Sequence, residues 1–331
     1  MLTRRTLLAT AAAAAVTPAF GQATFGQAAY PDHPIRIVVG YAAGGGVDLV
    51  ARLLGEPIKA ALGQTVIVEN RTGASAMIAS NVVAKAAPDG YTILAAASGE
   101  VAINQHLFKD KMTYDASREL TPLALVGIVP CVVVVAASTP VRNPKELIAY
   151  AKANPGKLSF SSSGVGNPQQ LAGELMNFMA GTNVLHVPYR GSAPAVTDVA
   201  TGAVTMSFSS LAAALPLMDA GKIRAVAVTS KERMPQLPDV APLSEGAPGL
   251  ADYELLNWFG LFITAGTPQP IVDKLNGIIN AALTDKAIVD KLLPQGIVPK
   301  PMSSADYRKF VEAETAKFGK IVQQANIKLA E

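Results

Sequence analysis

Short apolar runs alternate with stretches of helical period along the chain. The run Ile35-Arg36-Ile37-Val38-Val39-Gly40 is followed by an amphipathic segment over residues 49–62, a second run over 65–69, a polar-apolar segment to Ala87 and a third run over 91–95. Strand, helix, strand in that order predicts a mainly parallel sheet covered on both faces. Pro57 lies inside the first helix, where a missing N–H and a ring clash typically cost ~3 kcal/mol, so a kink or an early stop is expected there.

A second α/β set begins at residues 126–136 and continues through a helix at 144–153 and a strand at 158–161. A helix from Pro168 and strands at 184–187, 204–208 and 224–228 complete it. The Pro/Gly-rich stretch 235–249 then leads to an apolar strand over 258–264 and two closing helices. One starts at Thr267-Pro268. The other starts at Ser303, with Asp306 three residues on, as a capping box places them. With those helices returning to the first unit, the pattern predicts two domains joined by two crossings. Domain 1 is discontinuous, residues 30–125 and 250–331, domain 2 spans 126–249, and a ligand cleft lies at their interface.

Residues 1–22 stand apart. Arg4 and Arg5 precede an apolar run over 7–16, with small residues at Ala19 and Gly21, the layout of a secretory signal peptide. The paired arginines followed by Leu7-Leu8 fit a Sec leader and also resemble a twin-arginine one, and either route places the mature chain in the periplasm. The later apolar stretches fall short of the ~18 residues of a membrane span.

Composition narrows the chemistry. The chain has 331 residues, half of them apolar, and 28 Lys and Arg against 25 Asp and Glu, which is too even a balance for a nucleic-acid footprint. A single cysteine, Cys131, excludes an intrachain disulfide, and three scattered histidines do not assemble a Cys/His metal site. No cofactor or metal is expected, and the mature protein is expected to act as a monomer.

The remaining chemistry concentrates in Gly/Ser-rich turns that each follow a strand and open a helix. Tyr41-Ala42-Ala43-Gly44-Gly45-Gly46-Val47-Asp48 is the first; glycines let the backbone approach a ligand, and amides at a helix start favour negative charge. Asp48 is assigned a structural capping role, since it would oppose an anion. In the second turn, residues 161–170, Ser161, Ser162 and Ser163 add hydroxyls beside Gly164. Asn167 takes the N-cap, Pro168 the first helical position and Gln170 the capping-box position. Ala97-Ser98-Gly99-Glu100 is a third such place, and Tyr189-Arg190-Gly191-Ser192 a fourth. Tyr41, Ala43, Gly44, Gly45, Gly46, Ser98, Ser161, Ser163, Gly164, Asn167, Tyr189 and Ser209 are therefore the candidate ligand contacts. Catalytic residues are not expected: His186 lies inside an apolar strand and reads as a core histidine, and no nucleophile elbow, Walker or zinc-protease motif is present. A dinucleotide unit, with Gly44 and Gly46 followed by Glu69 as a ribose acid, is the enzyme alternative; Leu49 occupies its third glycine position.

The same residues carry a resemblance. Tyr30-Pro31-Asp32-His33-Pro34-Ile35-Arg36-Ile37-Val38-Val39, Val68-Glu69-Asn70-Arg71, Ala86-Ala87-Pro88-Asp89-Gly90-Tyr91-Thr92, His186-Val187-Pro188-Tyr189-Arg190-Gly191-Ser192 and Trp258-Phe259-Gly260-Leu261-Phe262 resemble, in order and at matching separations, the TctC or Bug receptors of tripartite tricarboxylate transporters. The resemblance implies a type II-like periplasmic binding protein whose two α/β domains close on a small organic anion, often a carboxylate. It also implies delivery to a membrane permease with large and small subunits, the alternative partner being a membrane sensor kinase. Val47, Met77-Ile78-Ala79, Pro168-Gln169-Gln170 and Ser209-Ser210 depart from the family's usual residues. With a hydroxyl and a carboxylate lost at the pocket edge, they point to a ligand more apolar, or poorer in amines, than an acidic amino acid.

Overall fold

The computed structural model describes residues 30–327, so the leader expected at 1–22 lies outside the described residues. The strands are β1 (Ile35–Val39), β2 (Val66–Asn70), β3 (Thr92–Ala97), β4 (Leu120–Pro130), β5 (Val132–Ala136), β6 (Leu158–Ser162), β7 (Val184–Pro188), β8 (Met206–Ser209), β9 (Ile223–Val228), β10 (Leu256–Thr264) and β11 (Val298–Pro299). The helices are α1 (Gly46–Leu62), α2 (Met77–Ala84), α3 (Asn104–Leu107), α4 (Ala116–Glu119), α5 (Pro144–Ala153), α6 (Pro168–Ala180), α7 (Ser192–Thr201), α8 (Leu211–Asp219), α9 (Gln269–Thr284), α10 (Lys286–Leu292) and α11 (Ser304–Gln324). A π-helical turn, Gly99–Ile103, follows β3 directly.

The strands form two sheets, ordered β11-β4-β10-β3-β1-β2 and β7-β6-β8-β5-β9. The expected α/β architecture is present, but the sheets are mixed rather than mainly parallel. β1 pairs parallel with β2 and β3, and β6 with β7 and β8, as helix-linked strands must. β10 runs antiparallel to β3 and β4, and β5 antiparallel to β8 and β9. The reversals arise where the chain leaves one sheet and comes back.

That crossing lies later than the sequence pattern suggests. The apolar run 126–136 is two strands, since β4 stays in the first sheet to Pro130, opposite Leu256, and β5 opens the second sheet at Val132. Residues 126–130 therefore belong with the first sheet. Cys131 between them is bonded to the returning strand: its N–H donates to Thr229 Oγ1 at 2.9 Å and its carbonyl accepts from Thr229 N–H at 3.0 Å. Leu255 N–H in turn donates to Thr229 O at 3.0 Å, which ties both crossings into one hinge strip.

α1 buries Val47, Val50, Ala51, Leu54 and Ile58, the i, i+3, i+4 stripe of a helix lying on a sheet. It runs through Pro57 and ends at Leu62, against the expected early stop. Pro57 is half-buried, and the one backbone bond it forfeits is outweighed by the burial of Leu54 and Ile58 on either side of it. Both closing helices pack on the first sheet. Val272, Leu275 and Ile279 of α9 join Ile35 and Ile37 in one core, and Tyr307 of α11 sits edge-on to Trp258 at 6.0 Å. Among the described residues no helix is long and apolar enough to cross a membrane.

Candidate functional site

The loops after β2 and β3 meet the loop after β6 across the seam between the sheets, with the β1 loop beside the first two and the β7 loop bonded to the last through Tyr189 N–H to Ser162 O and Gly191 N–H to Ser163 O. The first rim is a braced loop. Asp48, three residues into α1, reaches back to accept Gly44 N–H at 2.9 Å, while Arg52 holds both of its oxygens at 3.0 Å. Asn70 from the end of β2 donates to Asp48 Oδ1 at 2.8 Å and to Tyr41 O at 3.0 Å. Burial alone would raise the Asp48 carboxyl, but these donors, Arg52 foremost, hold it below the usual carboxylate range. Its role is structural, as the sequence suggested, although the N-cap itself is Gly45.

This bracing decides which amides remain open. Gly44 donates to Asp48 and Gly45 to Ala42 O at 3.3 Å. Among the described residues the amides of Ala43, Gly46 and Val47 meet no protein acceptor, and the last two are first-turn donors of α1. Gly46 is closely packed: a Cβ there would lie 2.9 Å from the Phe259 ring, which would have to shift.

The facing rim is held in the same manner. Asn167 caps α6 by accepting Gln170 N–H at 3.0 Å, and Pro168 fills the first helical position. Gln170 Oε1 accepts Gly166 N–H at 2.8 Å, Gln169 Oε1 accepts Ser163 N–H at 2.7 Å, and Gly164 N–H leans on Ser162 Oγ at 3.3 Å. Beneath the loop the His186 ring nitrogen Nε2 lies 2.7 Å from Ser162 Oγ, which donates to Gly164 O at 2.7 Å. His186 thus supports the loop, and burial pushes its pKa down to about 4.

The predicted contacts separate accordingly. Tyr41, Ala43 and Gly44 to Gly46 line one rim, and Ser163, Gly164 and Asn167 the other, with the Ser163 hydroxyl accepting from Asn167 Nδ2 at 3.2 Å. Ser98 sits below the first rim, fully buried, and bonds Asn257 Oδ1 at 3.0 Å. Ser161 does not join them. Strand alternation turns its side chain to the opposite face of β6, where it donates to Ala195 O under α7 at 3.1 Å. Ser209 is buried and bonds Ser210 O at 3.3 Å, and Tyr189 commits its hydroxyl to Asp198 at 2.5 Å.

Two further elements contribute residues that the candidate contacts did not include. Ala74, Ser75 and Ala76, between β2 and α2, all have left-handed backbones, φ 47°, 52° and 65°. Such geometry costs L-residues on the order of 1–2 kcal/mol each. The loop presses on the end of β1, where a Cβ at Gly40 would sit 2.4 Å from that of Ala76. From it Ser75 Oγ bonds Val165 O of the other lobe at 3.3 Å, and Asn104 Nδ2 donates to Ser75 O at 3.0 Å. The available signal was Arg71-Thr72-Gly73-Ala74-Ser75, a run ending in small residues after a strand, like the other turns. The second element is Glu100, 1% exposed on the π-helical turn, whose Oε2 lies 2.7 Å from Tyr41 Oη and whose Oε1 accepts Ala97 N–H at 2.9 Å.

A cavity of about 250 Å³ lies elsewhere, between α11 and the first sheet, lined by Val101, Phe262, Arg308 and Val311 among others. Among the described residues no three His, Cys, Asp or Glu side chains are placed to hold a metal ion.

Comparison with known proteins fits the two-lobed architecture. Residues 50–327 match the family model described as "Tripartite tricarboxylate transporter family receptor". The UPF0065 protein of the tcbD-tcbE intergenic region in a Pseudomonas species is 38% identical over 294 residues, 89% of this chain and 87% of its own. Among solved structures, an R. palustris protein with adipate superposes with a TM-score of 0.83 at 35% identity, covering 90% of this chain and 99% of its own. MatC from Rhodopseudomonas palustris with bound malate gives 0.78 at 30% identity, covering 88% and 100%. The chain belongs to the TctC family, the tripartite tricarboxylate transporter receptors, whose members are solute-binding proteins of the periplasmic binding-protein fold rather than enzymes.

Proposed function

We propose that this chain is a periplasmic receptor, exported by its leader at 1–22, that captures a small amine-free carboxylate between its lobes as a monomer. The closed, loaded form is then presented to a tripartite tricarboxylate-type permease. The observation that carries the reading is the unpartnered amides of Ala43, Gly46 and Val47, one rim of the seam, at the positive end of α1. Neutral donors of this kind hold a carboxylate without a buried cation, so a released ligand leaves no charge unpaired.

The ligand class follows from the pocket edge. Val47 and Met77 are buried apolar residues beside the two strand-to-helix loops, and Ser209-Ser210 hold no carboxylate that could pair with an ammonium group. Adipate and malate, the molecules carried by the two similar structures, are both dicarboxylates without an amine.

A thermal-shift screen of dicarboxylates, aromatic acids and acidic amino acids tests this. A true ligand at 100 times its Kd stabilises the fold by about 2.7 kcal/mol, which moves the midpoint clearly. The reading fails if no organic acid shifts it, and the amine-free assignment fails if aspartate binds more tightly than every amine-free acid tried.

A further inference from the structure

The receptor function leaves one buried acid without a role. Glu100 lies at the start of the π-helical turn after β3, and rare π turns inside helices mark functional positions. Its Oε1 accepts Ala97 N–H at 2.9 Å and its Oε2 meets Tyr41 Oη at 2.7 Å. Tyr41 belongs to the ligand rim, and its hydroxyl is buried against Glu100 just beneath the contact between the lobes. The point where a Cβ on Gly99 would sit lies 3.8 Å from Tyr41 Oη and 3.4 Å from Gly166 O of the opposite lobe.

The state of Glu100 sets what Tyr41 offers the seam. As a carboxylate, Glu100 takes the Tyr41 proton, so the phenol shows only lone pairs outward, backed by a buried negative charge. Once protonated at Oε2, Glu100 donates to Tyr41 Oη, and the phenol proton is released to point outward as a donor. We propose that Glu100 and Tyr41 form a proton-linked donor, so that capture of a carboxylate between the lobes takes up one proton from solvent onto Glu100. This rests on the receptor reading above.

The surroundings support it. Tyr114, from the segment ahead of α4, donates its hydroxyl to Glu100 O at 2.5 Å, and Tyr307 of α11 approaches with a hydroxyl that has no protein partner among the described residues. No Lys, Arg or His pairs with Glu100 among those residues. His106 of α3 bonds Thr315 O, Arg118 of α4 is exposed, Glu119 pairs with Lys85, and Glu314 of α11 has Lys317 at 3.7 Å. Burial pushes Glu100 up to about 7, so the proton it needs is available near neutral pH.

The test is calorimetric titration of the wild-type mature protein, E100Q and Y41F with malate and with adipate from pH 6.5 to 8.5, where both stay dianionic. For wild type, affinity should weaken about tenfold per pH unit at the alkaline end. Buffers of different ionisation enthalpy should report close to one proton taken up per ligand at pH 8. E100Q keeps a permanent N–H toward Tyr41, so its affinity should be high and flat with pH; Y41F should bind weakly at every pH. Wild-type binding with a flat pH profile and no proton uptake would overturn the inference and leave the receptor reading standing. If none of the three folded proteins binds either acid at any pH, the dicarboxylate reading falls, and this inference with it. The wild-type proton count decides the matter even if a variant fails to fold.

Discussion

Ser75 Oγ donates to the carbonyl oxygen of Val165 at 3.3 Å, and the two residues belong to different lobes. An exposed latch of this kind contributes at the low end of the ~0.5–1.5 kcal/mol net value of a hydrogen bond, because water competes for both groups. Because it joins the two lobes, it favours the arrangement in which they are together. Ser75→Ala should therefore weaken carboxylate affinity two- to fivefold, on the order of 0.5–1 kcal/mol, and leave the ligand-free thermal midpoint in place. Calorimetry on the two proteins checks this, and an unchanged Kd would mean that the latch adds nothing to closure.

The hinge strip has a separate weak point. Thr229 is fully buried and its hydroxyl is the acceptor for Cys131 N–H at the point where both chain crossings meet. Thr229→Val keeps the shape and strands a buried amide, a loss of about 1–3 kcal/mol. Urea denaturation should show the midpoint falling with an unchanged slope. Because burial pushes the neighbouring Cys131 thiol up to about 12, that cysteine should stay unreactive to thiol reagents at pH 8 in the native protein and react once urea unfolds it.

Local signals were legible in the sequence and non-local ones were not. Asn167-Pro168 announced the start of α6, and Ser303 with Asp306 the start of α11, because capping is decided within four residues. Ser161 and Ser162 read alike in sequence, yet alternation sends one hydroxyl under α7 and the other to His186. The break at Cys131 was hidden inside an apolar run, since only the partner strands, Leu256 on one side and Ser209 on the other, tell β4 from β5. Glu100 was read as part of a Gly/Ser turn; its pairing with Tyr41, 59 positions away, exists only once β1 and β3 lie side by side.

Gly46 joins the pocket backbone to the core. A methyl group there would meet the Phe259 ring at 2.9 Å, in a strand held between β3 and β4, so the ring cannot retreat freely. Gly46→Ala should cost about 1–3 kcal/mol of stability as overpacking, despite the helix propensity it adds. It should also displace the free amides of Gly46 and Val47, so ligand affinity should fall by more than tenfold. A variant with lower stability and intact affinity would show that these amides do not hold the ligand.

His186 gives the fold an acid limit. Its ring packs against Phe160 at a centroid distance of 4.9 Å and supports Ser162 through Nε2. Burial lowers its pKa from 6.5 to about 4, so the folded state disfavours the charged ring. The unfolded chain binds the proton first as pH falls. The contribution of neutral His186 is therefore complete above about pH 6.5, declines between about 6.5 and 4, and changes no further once both states are protonated. His186→Gln preserves a hydrogen bond to Ser162 without the titration. Urea midpoints from pH 7.5 to 4 should fall more steeply for the wild type than for the variant within that window, and parallel profiles would remove His186 as a cause of acid sensitivity. The loop it supports carries Ser163 and Gly164, so the same acid window should loosen the ligand rim before the lobe itself unfolds. Hydrogen exchange at residues 163–166 measured at pH 5 and pH 7 reads that order directly.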